Sequence, residues 1–277
     1  MFPRCKRFLG VCAAAWFLSA FALNAAERPG MAGIPVGETL KYDIYWGFIP
    51  VGHSEITSSW VEEDGRPLIN LRFTARSNRF VEKIYPVNDR VDCFIDPQTL
   101  LPVRLVKRTS EGRYLCDDTL TFDRDANTAA WEDRERGTNC EYAVAQDTRD
   151  CFSLMYVLRE RDLRRGEPQS FTIANDNRMH DILIRMGGEE KVDLPDGREV
   201  MANRMSVEQA KKGLFVRKVP GAVWVSREDP RVILKMLVRV PVGSVRVVLA
   251  GREESPAVSV VERAVAPQKV EIAKGVL

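Results

Sequence analysis

Apolar and polar side chains alternate with a period of two over much of the chain from Glu38 onward. In the first such segment four apolar side chains share one face, namely Leu40, Tyr42, Ile44 and Trp46. This alternation is typical of strands with one buried face. A second alternating segment, which contains Trp60, follows a turn at residues 47–52, so the pattern predicts an opening β-hairpin.

Further alternating segments continue to residue 249 and are separated by turn signals such as Asp64-Gly65 and Asp96-Pro97. The pair Gly187-Gly188 is interpreted as another turn. Only residues 150–165 place apolar side chains at helical spacing, with Thr148 or Asp150 as the N-cap. A sheet of so many strands must protect its edges. The sequence therefore predicts a mainly β protein, in which a strongly curved antiparallel sheet forms an open or closed β-barrel with one main α-helix as plug or cover.

The first 26 residues have the features of a secretory signal peptide. Arg4, Lys6 and Arg7 precede an apolar run of roughly 16 residues, shorter than the ~20 that a membrane-spanning helix needs. Small residues follow at Ala25 and Ala26. We therefore expect a signal peptide at 1–26, export to the periplasm or cell envelope, and no transmembrane span in the mature protein. A single β-rich domain is expected at 37–250 and a loosely ordered tail at 251–277.

Charge excludes one class of partner. The three basic residues of the predicted signal peptide leave 38 of the 41 Lys and Arg residues, against 39 Asp and Glu residues, in the mature chain. These charges are interspersed rather than clustered, so no nucleic-acid partner is expected.

Four cysteines follow the signal peptide, and an even number in an oxidising compartment favours disulfides. We expect Cys140 to pair with Cys151 and Cys93 with Cys116, and the alternative is that one or both pairs are buried thiols. No C-x-x-C pair occurs and the two histidines are far apart in sequence, so neither a metal site nor a cofactor is expected.

No residues are assigned to catalysis. His53 and Ser54 are neighbours on a predicted strand, and adjacent strand residues point to opposite faces, so they cannot form a nucleophile and base. Aromatic side chains recur on the predicted inner face, where they either form the core or line an apolar cavity. The candidate ligand-binding residues are Tyr42, Trp46, Trp60 and Phe73.

Three stretches resemble a family of bacterial exported proteins, domain-of-unknown-function family 3108. They are residues 37–47 with Pro50-Val51-Gly52, residues 85–91, and the helix at 150–159 with the closing strands that contain Val223-Trp224-Val225-Ser226. The resemblance covers residues 37–249. It implies an exported, β-rich protein whose architecture is similar to the lipoprotein-carrier type, and it supplies no functional residues.

Taken together, these features predict an exported, non-enzymatic envelope protein that binds an apolar or amphiphilic ligand, such as a lipid, in a concave β-sheet. The alternative is an envelope assembly or scaffold protein that binds another protein. A hydrolase is the third hypothesis, because carboxylates are plentiful but none can be singled out.

Overall fold

The computed structural model describes residues 34–160, 167–209, 220–239 and 243–255. Within these ranges the chain forms fourteen strands, one α-helix and a short 3-10 turn at Val81–Lys83. The strands before the helix are β1 Glu38–Trp46, β2 Ile49–Glu63, β3 Arg66–Ser77, β4 Asn88–Ile95, β5 Pro102–Glu111, β6 Tyr114–Asp123, β7 Thr128–Asp133 and β8 Thr138–Ala143. The helix α1 is Cys151–Glu160, followed by β9 Gln169–Asn175, β10 Arg178–Asp193, β11 Glu199–Gln209, β12 Pro220–Ser226, β13 Ile233–Arg239 and β14 Ser244–Glu254.

All fourteen strands belong to one antiparallel sheet. Its order is β8-β7-β6-β5-β4-β3-β2-β1-β14-β13-β12-β11-β10-β9, so consecutive strands lie side by side except β8 and β9, and β1 also pairs with β14. The two edge strands, β8 and β9, are not hydrogen-bonded to each other among the described residues. The prediction of a mainly β, curved antiparallel sheet with one helix is confirmed, and the sheet is of the open kind.

Alternation along the strands decides which side chains form the core. Leu40 and Tyr42 of β1 are buried, and Ile56 and Leu71 are buried on the strands that follow across the sheet. The register places Leu40 opposite Ile56, and Ser58 opposite Leu71, so these positions share one face. The face predicted from the sequence is therefore the packed face.

Helix α1 packs against this sheet. Asp150 caps its N-terminus by accepting hydrogen bonds from the backbone N–H of Phe152, at 2.7 Å, and of Ser153, at 3.2 Å. The ring of Phe152 lies 5.4 Å from that of Phe73 on β3, while Leu158 joins a second apolar cluster with β9–β13. Because both halves of the sheet contact the helix, α1 occupies space that an internal ligand would need.

The loop before α1 joins the two ends of the sheet. The backbone N–H of Arg149 donates to the carbonyl of Thr172 on β9, and the N–H of Ala174 donates to the carbonyl of Arg149. Lys107 of β5 forms an ion pair with Asp176, in the turn between β9 and β10, and the hydroxyl of Tyr142 on β8 donates to the Asp176 carbonyl oxygen at 3.0 Å. Side chains and one loop, rather than a strand ladder, therefore connect the two edges of the sheet locally.

Several local predictions differ from the structure. Strand β8 was not predicted, because its alternation is weak and most of its side chains are exposed. Gly187 and Gly188 lie inside β10, where the register with β11 shifts, because a β-bulge and not a turn accommodates them. Residues 251–254, predicted to belong to the tail, continue β14 beside β1.

The remaining terminal predictions lie outside the described residues. These are the signal peptide at 1–26, the rest of the tail at 256–277 and the end of the predicted helix at 161–165.

Candidate ligand-binding surface

The four aromatic residues predicted to bind a ligand lie in different environments. Tyr42 is buried and its hydroxyl donates to the carbonyl of Ile233 at 3.1 Å, so its ring is part of the core. Phe73 is half-buried against α1. Trp60 is half-buried, and Trp46 is exposed at the end of β1.

Trp46 and Trp60 cannot line one small pocket. Trp46 pairs with Ile49 at the start of β2, and Trp60 lies eleven residues further along the same strand. At ~3.3 Å per residue this places them roughly 36 Å apart. Ligand binding by the four residues stays a prediction, and the structure distributes them between the packed interior and the two ends of the sheet.

A buried ion pair anchors α1 to the sheet. Arg159, at the end of α1, donates two hydrogen bonds to the carboxylate of Glu38 on β1, at 2.5 and 2.9 Å, and Arg252 donates a third at 2.9 Å. Burial alone lowers the pKa of Arg159, but the hydrogen bonds and charge of Glu38 outweigh it and the pKa is raised. The guanidinium therefore stays charged and holds the helix in place.

A second polar cluster lies on β5–β7. Besides Asp176, Lys107 pairs with Asp118 at 3.1 Å, and Asp118 also accepts a hydrogen bond from the indole N–H of Trp131 at 3.0 Å. Burial opposes the charge on Lys107, but Asp176 and Asp118 raise its pKa overall. A lysine held protonated in this way is neither a base nor a nucleophile at neutral pH.

The thiols are equally unsuited to nucleophilic chemistry. Burial raises the pKa of Cys151 to about 12. Burial, with the hydrogen bond to Asp118, raises the pKa of Cys116 to about 12 as well. Burial also raises the pKa of Cys93, whose thiol donates to the carboxylate of Asp150 at 3.1 Å. Since the thiolate is the reactive form, these three cysteines are inert at neutral pH.

Neither predicted disulfide is formed, and the four cysteines within the described ranges are free thiols. Cys93 on β4 pairs with Leu105 on β5. Cys116 lies one strand further, on β6, and four residues away from the β6 position that lies opposite Leu105. Strand spacing of ~4.8 Å and a rise of ~3.3 Å per residue separate the two Cα atoms by roughly 16 Å. A disulfide needs ~4.4–6.8 Å, so Cys93 and Cys116 cannot pair in this fold. Cys140 and Cys151 are likewise unpaired.

Exposed apolar side chains gather at one end of the sheet. We call this surface the rim and define it by six residues, Trp46, Phe48, Ile49, Phe80, Ile84 and Tyr85. The first three lie in and beside the β1–β2 turn, and the others in the connection between β3 and β4. Phe48 is 93% exposed, Ile84 is 76% exposed and Phe80 is 70% exposed. Side chains of this size are rarely exposed together unless they contact a partner.

Hydrogen bonds hold the two parts of the rim together. The backbone N–H of Asn78 donates to the carbonyl of Val51 at 2.9 Å, and its side-chain amide donates to the carbonyl of Pro50 at 2.6 Å. Arg246 donates to the carbonyl of Gly47 at 2.9 Å and lies 5.8 Å from the centre of the Phe48 ring. The rim is therefore an ordered surface.

Basic residues accompany the rim. Arg76, Arg79 and Lys83 are exposed within or beside the β3–β4 connection, which also carries one exposed acid, Glu82. Within residues 34–160, 167–209, 220–239 and 243–255, Arg79 and Lys83 form no ion pair. The rim thus combines apolar bulk with positive charge.

Sequence reasoning singled out Trp46 and missed the rest of the rim. One signal was present, since the turn Gly47-Phe48-Ile49-Pro50-Val51-Gly52 is apolar where turns are normally polar. His53, beside this turn, is exposed while Ser54 is buried, in agreement with their prediction on opposite faces.

No three His, Cys, Asp or Glu side chains within the described ranges are grouped to hold a metal ion. No described helix combines the length and apolar character needed to cross a membrane.

Comparison with known proteins identifies the family. The sequence profile of the family described as "Protein of unknown function (DUF3108)" matches residues 41–250, so the chain belongs to this family and the predicted resemblance is confirmed. No curated protein matches the chain. Among solved structures the fold is similar to a β-barrel-like protein of domain of unknown function DUF1849 from Brucella abortus, with a TM-score of 0.53 and 11% identity over 80% of this chain and 99% of that one. This similarity concerns the fold.

Proposed function

We propose that this protein is an exported, non-enzymatic protein of the cell envelope that binds an apolar or amphiphilic ligand, and that the ligand is a lipid. The observation that carries the proposal is the rim, where large apolar side chains are exposed beside cations. Lipids combine an apolar chain with a polar headgroup, and this surface offers a partner to each part. The exported location follows from the predicted signal peptide.

The inert polar clusters support a role without catalysis. The thiols of Cys93, Cys116 and Cys151 have raised pKa values, and Lys107 is held as a paired cation. An enzyme needs groups whose pKa values suit proton transfer or attack near neutral pH. These three thiols and this lysine have the opposite property.

Because α1 packs on the face of the sheet where a ligand was predicted, we propose that the ligand binds at the rim and not in the interior. Tyr42 is already hydrogen-bonded in the core, and Phe73 contacts Phe152 of the helix. A ligand on the packed face would have to displace α1, whose Arg159 is anchored by Glu38. Binding at the rim requires no such displacement.

Native mass spectrometry of protein purified from the envelope without detergent tests the proposal. We expect an added mass that extracts as lipid, and a lower occupancy for Phe48→Ser combined with Ile84→Ser. Met201→Ser is the matched control, because Met201 is exposed on β11, near its start, at the end of the sheet away from the rim. A lipid-free mass, recorded beside a carrier protein that keeps its lipid, would contradict the proposal.

A second function, binding of an envelope protein, is favoured by strand β8. Among described strands β8 pairs with β7 alone, and its exposed edge can accept a strand from a partner. A groove of about 330 Å³ lies beside this edge, bordered by Thr121, Glu132, Asn139 and Glu141 among others. A photo-crosslinking residue at Glu141 should then capture one discrete partner in the envelope while the same residue at Met201 captures none. Equal labelling at both positions would rule against a partner at β8.

A further inference from the structure

The exposure of the rim restricts the kind of lipid assembly that can bind there. A pocket for a single molecule would surround its apolar lining, but Phe48 is 93% and Ile84 is 76% exposed. Among the described residues no side chains enclose Phe48 and Ile84, so the ligand itself must supply the apolar surroundings. The apolar interior of a lipid assembly can surround such side chains completely, whereas one isolated acyl chain can cover them only in part.

Charge restricts the headgroups. Arg76, Arg79 and Lys83 accompany the apolar side chains, and the exposed Glu82 is their only acidic neighbour between residues 76 and 86. Each cation near an anionic membrane surface strengthens attraction by ~1 kcal/mol, or roughly fivefold in affinity. Long basic side chains can reach phosphate groups while their stems stay beside buried apolar residues.

The residue types are those found at the interface of membranes. Trp46 and Tyr85 are amphipathic aromatic residues, whereas Phe48 and Ile84 are apolar throughout. Such a combination places aromatic rings at headgroup level and apolar groups a few ångströms deeper. A protein partner would also bury apolar side chains, but the uncompensated cations favour a densely anionic surface.

On the basis of the proposed lipid-binding function, we propose that the rim docks the protein on the surface of an anionic lipid bilayer. The two loops insert Phe48 and Ile84, and Arg79 and Lys83 contact lipid phosphates. The protein is thus a peripheral membrane protein with its β-sheet held above the bilayer by one end.

Flotation with lipid vesicles tests the docking directly. Protein purified without detergent is mixed with vesicles of phosphatidylethanolamine and phosphatidylglycerol, or with vesicles of phosphatidylcholine alone. We expect it to float with the anionic vesicles at low salt, to be released as salt screens the charges, and to float poorly with the neutral vesicles.

Two pairs of variants separate the apolar and charged contributions. Phe48→Ser with Ile84→Ser should weaken binding by roughly 100-fold, since burial of each side chain contributes about tenfold. Arg79→Gln with Lys83→Gln should weaken it roughly 30-fold. Their controls are Met201→Ser, which loses one exposed apolar side chain, and the double variant Arg66→Gln with Arg198→Gln, which loses two cations, both at the other end of the sheet. The controls should bind like wild type.

The outcomes distinguish this inference from the proposed function. Lipid in the native mass spectrum without flotation would overturn the docking and leave single-lipid binding intact. The docking would also be overturned if the rim variants floated like wild type, or if the control variants lost flotation to the same extent as the rim variants. Absence of both co-purified lipid and flotation would overturn the proposed function itself and favour a protein partner.

Discussion

Replacing Glu38 by Gln should destabilise the protein strongly, because this carboxylate is the anion between two guanidinium groups. Glu38 is fully buried, Arg159 is 1% exposed, and the side chain of Arg252 is 23% exposed. Glutamine keeps the size of the side chain but removes its charge. Arg159 would remain buried beside a second cation, with neutral acceptors in place of the carboxylate, among them the carbonyl of Arg231 at 2.5 Å.

The expected magnitude follows from what each variant leaves unpaired. Breaking a buried ion pair by removing one partner costs about 3–5 kcal/mol. Glu38→Gln should lie at the upper end of this range, because it leaves like charges together. Arg159→Met should lie at the lower end, because Glu38 keeps Arg252 as its partner. The double variant Glu38→Gln with Arg159→Met removes both buried charges of this pair, and Arg252 keeps its 2.5 Å contact with Glu254, so the cost should be well below the sum of the two single costs.

Equilibrium unfolding in urea measures these free energies. With an m-value of ~3 kcal/mol per M, a loss of 4 kcal/mol lowers the midpoint by roughly 1.3 M. The exposed pair Lys191–Glu199, at 2.7 Å, is the control, and Lys191→Gln should leave the midpoint unchanged. A loss below ~1 kcal/mol for Glu38→Gln, or strictly additive costs in the double variant, would refute the assignment of this pair as the anchor of α1.

Three further results are expected. Burial, aided by Arg178, lowers the pKa of His180, so the unfolded state binds the proton first and the free energy of unfolding should fall as pH drops below about 6.5. His180→Gln should reduce this slope in urea unfolding, and an unchanged slope would contradict the reasoning. Gly52→Ala should lower the thermal midpoint of unfolding by several degrees, because the added Cβ would lie 2.3 Å from the backbone oxygen of Arg76. An unchanged midpoint would show that β2 and β3 can move apart at this position without loss of stability. Iodoacetamide in denaturant without reductant should alkylate four thiols of a chain that lacks residues 1–26, as counted by mass spectrometry. Two alkylated thiols would indicate one disulfide, and none would indicate two.

Much of the fold could be predicted because period-two alternation depends on local sequence. Leu40 and Tyr42 face the core as their spacing indicates, and the helical spacing after Asp150 gives α1. The bulge at Gly187 could not be predicted, since it depends on where β11 lies. The contact between Glu38 and Arg159 joins residues 121 positions apart, and no local pattern specifies it.

The binding surface was less predictable than the fold, for a physical reason. The apolar turn at residues 47–52 marks Phe48 as unusual in sequence, but only packing shows that Phe48 is exposed whereas Tyr42 is buried. The rim also depends on the approach of two connections, which Asn78 brings together through Pro50 and Val51. Phe80 and Ile84 gave no periodic signal of their own.

Hydrogen–deuterium exchange with and without phosphatidylglycerol-containing vesicles tests the central claim, that lipid binds at the rim and not inside the sheet. The account predicts slower exchange on lipid binding in residues 46–51 and 78–86, with unchanged exchange in α1 and in the turn at residues 64–65 at the other end. Faster exchange in α1 with no change at the rim would show that lipid enters the concave face by displacing the helix, and would contradict the account.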